Sequence, residues 1–225
     1  MSLATDVAVL AAKDIRIELR TRQASGAAAA LGAIALVLVG LAVGPDADRL
    51  RQLAPSVIWI ALLFATVTVA DRFERIDRAD DAFSALWLVA ADRRAIYLAK
   101  VLSLTLVLVI LQVGLWLLAV VLLDLSLRIE LLALLPIIWL TAWSTASVGA
   151  LALALVSAAA HRMLLLPVLL LPLLVPTLVA GVGASVAVLE GRLADAVGWA
   201  TILTIEAALF CGLGILLYEA AAAPE

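Results

Sequence analysis

Hydrophobic residues run in long unbroken stretches along this chain, and short segments between them hold nearly all the charge. Uncharged runs cover 23–45, 52–70, 101–123, 131–160 and 163–189, and a sixth, 196–218, is interrupted by a single charge, Glu206. About 20 apolar residues at 1.5 Å each cross about 30 Å of hydrocarbon, so each run is long enough to span a bilayer. The apolar positions follow one another instead of alternating with polar ones, which predicts helices and not barrel strands. The pattern predicts an all-α polytopic membrane protein with six transmembrane helices in a single transmembrane domain over 1–225.

Composition agrees. Of 225 residues 66% are hydrophobic and 15% charged, and the mean hydropathy is +1.21. A soluble domain carries about 45–50% apolar and about 25% charged residues, so a soluble enzyme, a disordered regulator and a secreted disulfide scaffold are excluded. The net charge of -3 provides no basic field to recruit nucleic acid. One cysteine, Cys211, and one histidine, His161, make neither an internal disulfide nor a zinc cluster. Hence no metal site is expected.

The first 22 residues mix Lys13, Arg16, Arg20 and Arg22 with Asp6, Asp14 and Glu18. A cleavable signal has a basic start followed at once by a short apolar core, so the first long run reads as a retained helix. Lys13, Arg16 and Arg20 share a helical face, and Asp14, Glu18 and Arg22 form a second column of i+4 neighbours. An interfacial helix within 1–26 is expected, its basic face toward anionic headgroups.

Connections between spans are short except 71–100, about 30 residues dense in charge. With the N-terminus in the cytoplasm, eleven of the 15 Lys and Arg residues fall in cytoplasmic segments, so the positive-inside rule places both termini there. Trp59, Trp116 and Trp199 then lie toward outer ends of spans and Tyr97 and Tyr218 toward inner ends, as interface anchors would; Trp139 and Trp143 lie deeper.

Four further features are candidates for function. Inside the 71–100 loop, the pattern over residues 82–91 predicts a short amphipathic helix in which Phe83, Leu86 and Trp87 share a face. It suits docking into a partner's groove or lying on lipid headgroups. Glu206 stands within a span, where a charged carboxylate costs about 2.5–3.5 kcal/mol. It reads either as a structural group bonded to Thr201, Thr204 or a neighbouring helix, or as a partner contact or part of a polar path. Pro167, Pro172 and Pro176 each remove a backbone donor, predicting a fifth span that is bent, or unwound in its outer half. Ala142, Ala146, Ala150 and Ala154 form a small-residue column suited to close packing within the chain.

No phosphate-binding loop, H-E-x-x-H or G-x-S-x-G occurs, so neither ATP hydrolysis nor hydrolase chemistry is expected of this chain. From the residues alone, this is a six-helix membrane subunit with a partner-docking loop and no cofactor of its own.

Four stretches taken in order resemble the CcmB family, the permease-like subunit of the haem exporter used in cytochrome c maturation. They are Lys-Asp-Ile-Arg-Ile-Glu-Leu-Arg-Thr-Arg-Gln at 13–23, Leu-Ala-Pro-Ser-Val-Ile-Trp-Ile-Ala-Leu-Leu-Phe-Ala at 53–65, Asp-Arg-Arg-Ala-Ile-Tyr-Leu-Ala-Lys at 92–100 and Leu-Pro-Val-Leu-Leu-Leu-Pro-Leu-Leu-Val-Pro at 166–176. The resemblance implies an ABC-2 exporter-type transmembrane domain in a bacterial inner membrane, with two copies pairing with two ABC ATPase subunits and further cytochrome c maturation membrane subunits. ATP would act through the ATPase, and haem would be the cargo. The loop helix would be the coupling helix, with Asp80, Asp81, Phe83, Leu86 and Trp87 on the ATPase. The family's acidic-Gly-x-Leu-Glu pattern at this helix is replaced by Asp80-Asp81-Ala82-Phe83-Ser84, and Glu206 takes the place of an acidic residue found in the sixth span of similar sequences. Two other readings are an ABC-2 permease for a lipid or drug and a non-transporting scaffold that relays ATPase strokes.

Overall fold

A computed structural model describes residues 3–78, 93–123, 132–156 and 162–221. Seven helices account for nearly all of them: α1 (Leu3–Thr21), α2 (Gln23–Val43), α3 (Ala47–Arg78), α4 (Arg93–Leu122), α5 (Leu134–Val156), α6 (Arg162–Leu189) and α7 (Leu193–Ala221). The last six are each long and apolar enough to cross a membrane. The chain is a multi-pass membrane protein of six spans preceded by a more polar helix.

The helix ends follow from local chemistry. Arg22 takes a left-handed conformation (φ 48°) and separates α1 from α2. Its side chain does not cap α2; instead Glu18 Oε1 accepts the Ser25 amide at 2.8 Å. This satisfies one of the orphan donors at a helix start. Asp46 performs the same task for α3, accepting the Arg49 amide at 3.1 Å. Between α6 and α7, Gly191 adopts φ 73°. The Arg192 amide reaches the Ala187 carbonyl at 2.8 Å and the Gly191 amide the Val188 carbonyl at 3.0 Å, the paired bonds of a Schellman ending.

Packing puts α5 at the centre. It touches α3, α4, α6 and α7 and is the most enclosed span, whereas α2 and α7 are the least. The alanine column explains this: Ala142, Ala146, Ala150 and Ala154 are all buried, and small residues let neighbouring backbones approach. Outward surfaces are largely aliphatic, with Ile34, Leu41, Ile110, Leu117, Val168, Ile205 and Leu216 among the exposed side chains.

Three expectations change. The prolines Pro167, Pro172 and Pro176 all lie inside the continuous helix α6, so the fifth span is not unwound. Pro172 and Pro176 lie on the exposed stripe with Leu171, Val175 and Val179, so the carbonyls they leave unbonded one turn back lie on the outer side of the bundle. The 71–100 segment is not a loop throughout, because α3 continues to Arg78 and α4 begins at Arg93. Finally, Trp59, Trp116 and Tyr97 are buried and face the core instead of lipid, while the side chain of Tyr218 lies outside the described residues. Trp199 packs where a side chain on Gly183 would stand 2.5 Å from its ring. Trp59 donates its indole N–H to Ser185 Oγ at 3.1 Å and lies against Gly181.

Candidate functional site: a polar junction inside the bundle

Side chains of α4, α5, α6 and α7 meet in a series of polar contacts inside the bundle. Thr141, Ser144, Thr145 and Ser147 are buried on α5, and Thr141, Ser144 and Ser147, three residues apart, lie on adjoining turns of one face. Near the start of the helix, Thr141 Oγ1 donates to Gln112 Oε1 of α4 at 3.3 Å. One turn on, the Ser144 and Thr177 hydroxyls are 3.2 Å apart, and Thr177 Oγ1 donates to Glu206 Oε1 at 2.7 Å. A further turn along, Tyr97 of α4 donates to the Ser147 carbonyl at 3.2 Å and to the Phe210 carbonyl of α7 at 3.1 Å.

The middle group joins α5, α6 and α7 through Ser144, Thr177 and Glu206. Glu206 is only 7% exposed, and lies near the middle of α7 as Thr177 does in α6 and Ser144 in α5. Its carboxylate points into the bundle, while Ile202, Ile205, Leu209 and Leu216 form the outer face of α7. Glu206 is therefore bonded to a neighbouring helix. The two candidate partners on its own helix are occupied elsewhere, Thr201 by the Val197 carbonyl and Thr204 by the Ala200 carbonyl, at 2.9 and 2.8 Å. Glu206 Oε2, Ser147 Oγ, Gln112 Nε2 and Trp116 Nε1 are buried without a hydrogen-bond partner among the described residues.

A second polar group ties α1 to the bundle. Ala11, Asp14 and Glu18 form the buried face of α1. Asp14 Oδ1 pairs with Lys13 Nζ at 3.1 Å, and Asp14 Oδ2 accepts from Ser103 of α4 at 3.5 Å. Of the Asp14, Glu18 and Arg22 column the two acids thus face inward, while Arg22, Arg16 and Arg20 are exposed and Lys13 is half-buried. Exposed Leu19 and Val9 share the outer side of α1 with Arg16 and Arg20. At the opposite end of the bundle, Glu190 and, secondarily, Asp195 hold the exposed Arg192 guanidinium above its ordinary pKa.

Among the described residues, no three His, Cys, Asp or Glu side chains come together to hold a metal ion. Cys211 is half-buried on α7. The residues expected to couple to an ATPase, Asp80, Asp81, Phe83, Leu86 and Trp87, lie outside the described residues, as does His161.

A family model described as "CcmB protein" matches residues 5–224. The chain belongs to the CcmB family. It is 30% identical over 197 residues to the "Heme exporter protein B" of Bradyrhizobium diazoefficiens, covering 83% of this chain and 84% of that one. To the protein of the same name from Pseudomonas aeruginosa it is 33% identical over 171 residues, 71% of each chain. A shorter match, 33% over 70 residues, links it to that of Escherichia coli K12 and covers 31% of this chain and 32% of the other.

For this CcmB-family chain, the stretches that carry the resemblance fall on structural joints. Residues 13–23 include the α1 acids and the Arg22 elbow; 53–65 include Trp59; 92–100 reach Tyr97; and 166–176 end one residue before Thr177. Sequence reasoning singled out Glu206 but not Thr177, Ser144 or Gln112. Its available signal was the run of four hydroxyls over 141–147, the densest such cluster inside a span.

Proposed function

We propose that this chain is the transmembrane permease subunit of an ABC transporter complex that handles haem for c-type cytochrome assembly. The observation that carries the reading is the family match over residues 5–224, together with relatives named for haem export that align along most of their length. Two copies of the chain pair with two ABC ATPase subunits and with further cytochrome c maturation membrane subunits. The chain resides in a bacterial inner membrane with both termini in the cytoplasm, α1 lying at the interface with Arg16 and Arg20 toward anionic headgroups. Haem is the cargo, ATP is hydrolysed by the partner, and the chain holds no cofactor of its own.

In this reading the segment joining α3 to α4 seats on the ATPase through Asp80, Asp81, Phe83, Leu86 and Trp87. Movement there enters the bundle through α4, whose Tyr97 and Gln112 are bonded to α5 and α7. The interior junction of Ser144, Thr177 and Glu206 keeps α5, α6 and α7 in register as the two copies move. The test is a deletion strain complemented with wild-type or Trp87→Asp protein. Wild-type chain restores c-type cytochromes and co-purifies with the ATPase, and Trp87→Asp loses both. Full cytochrome content in the uncomplemented deletion strain refutes the haem role; unchanged co-purification of the variant refutes the docking role alone.

A further inference from the structure

Buried polar atoms in folded proteins find partners in protein or in ordered water, and the penalty for leaving them bare is larger in a low-dielectric interior. Glu206 Oε2 and Ser147 Oγ have no hydrogen-bond partner among the described residues, although each residue is tied into the junction by another atom. Glu206 Oε1 accepts from Thr177, and the Ser147 carbonyl accepts from Tyr97. Ser144 and Ser147 are three residues apart, neighbours on one helical face. The side chains on this side of the junction are short: Ser144, Ser147, Thr177 and Ala180 are all buried and end within two bonds of Cβ. Among the described residues none donates a hydrogen bond to Glu206 Oε2.

We propose that α5, α6 and α7 enclose a hydrated site in mid-bundle, in which water molecules bind Glu206 Oε2 and Ser147 Oγ. Such a water needs two to four polar partners. The carboxylate oxygen, the Ser147 hydroxyl and the Ser144 and Thr177 hydroxyls supply acceptors and donors of that kind. The ligand is water itself, and its effect is to make the junction exchangeable. When α7 shifts against α5, Glu206 trades one water for another, whereas a dry junction would have to expose a bare carboxylate. The inference goes beyond the transport role and does not depend on the cargo.

Microsecond radiolytic labelling tests it, because water bound in the interior generates hydroxyl radicals in place. Tyr97 and Trp59 are both fully buried aromatics, 0% and 1% exposed. Tyr97 touches the Ser147 backbone, while Trp59 lies against Gly181 and Ser185. In the full chain in lipid nanodiscs, Tyr97 is expected to oxidise several-fold faster than Trp59, and Ser147→Ala and Glu206→Leu each to reduce the Tyr97 rate. Thr177→Val serves as an additional variant should Glu206→Leu not fold. Equal labelling of Tyr97 and Trp59 overturns the proposal. So does fast labelling of Tyr97 that all the folded variants leave unchanged, since the water would then arrive by another route.

Discussion

Tyr97 and Gly214 share one volume: the Tyr97 ring fills the space in which a side chain on residue 214 would stand, so a Cβ there would overlap the ring and its hydroxyl. Tyr97 is 0% exposed and anchored by its hydroxyl to two carbonyls, so the ring has little freedom to yield. Gly214→Ala is expected to destabilise the bundle by about 1–3 kcal/mol, the usual cost of overpacking a core. Gly149 is also buried, but a Cβ there meets nothing within 4 Å. Gly149→Ala should be neutral, or stabilising by about 0.5–1 kcal/mol through reduced backbone freedom. Thermal unfolding in one detergent compares the two; equal losses would show that the Tyr97 contact is not what constrains position 214.

The Trp59–Ser185 hydrogen bond joins α3 to α6. Ser185→Ala leaves a buried indole N–H without its acceptor, at a cost of about 1–3 kcal/mol. Trp59→Phe removes the donor as well, so the double variant should be less destabilised than the sum of the singles. The coupling expected from a double-mutant cycle is about 0.6–1.7 kcal/mol, the range for hydrogen bonds between membrane helices. A coupling of zero would mean that Ser185 matters only for packing.

Glu18 caps α2 from the neighbouring helix. Glu18→Ala is expected to cost about 0.5–2 kcal/mol, as loss of a helix cap does, and to speed hydrogen exchange at the Ser25 amide specifically. Exchange at the Gly44 amide, bonded to the Gly40 carbonyl at the other end of α2, should not change. If both amides accelerate together, the effect is general loosening of α2 rather than a lost cap.

Arg192 pairs with both Glu190 and Asp195, yet all three side chains are about half-exposed. Exposed ion pairs contribute little. Arg192→Ala is expected to leave the unfolding temperature within experimental scatter, because the Gly191 ending supplies the turn. Gly191→Val, which forces a β-branched residue to positive φ, should lower it clearly. Reversal of that ranking would make the charge cluster the true holder of the turn.

Hydropathy alone located all six spans, because each is a run of apolar residues bounded by charge and the bilayer imposes their length. It misplaced the ends where charge and helix coexist. Residues 71–78 are rich in Arg, Asp and Glu and read as loop, yet they contain no Gly or Pro, and Arg72, Glu74, Arg75 and Arg78 are good helix formers that extend an established helix, so they continue α3. The site was legible only at Glu206, whose charge stands out against its surroundings. Thr177 and Ser144 did not stand out, since single hydroxyls occur throughout these spans and only three-dimensional packing selects two of them. Trp59 and Tyr97 misled for a related reason. Their positions near span ends suit interfacial anchors, but whether a ring faces lipid or core depends on which neighbouring helix offers a glycine.

The uninterrupted run of α3 has a mechanical consequence. Its 32 residues measure about 48 Å at 1.5 Å each, well beyond about 30 Å of hydrocarbon. Core packing holds that rod on both sides of Trp59, with Leu50 and Ala54 buried toward one end and Ala65, Val69 and Ala70 toward the other. Residues 71–78, which carry six charges, add about 12 Å of helix beyond Ala70. A displacement applied at the Arg78 end therefore reaches the buried turns up to Trp59 along one continuous helix, with no break in the backbone hydrogen bonding to absorb it.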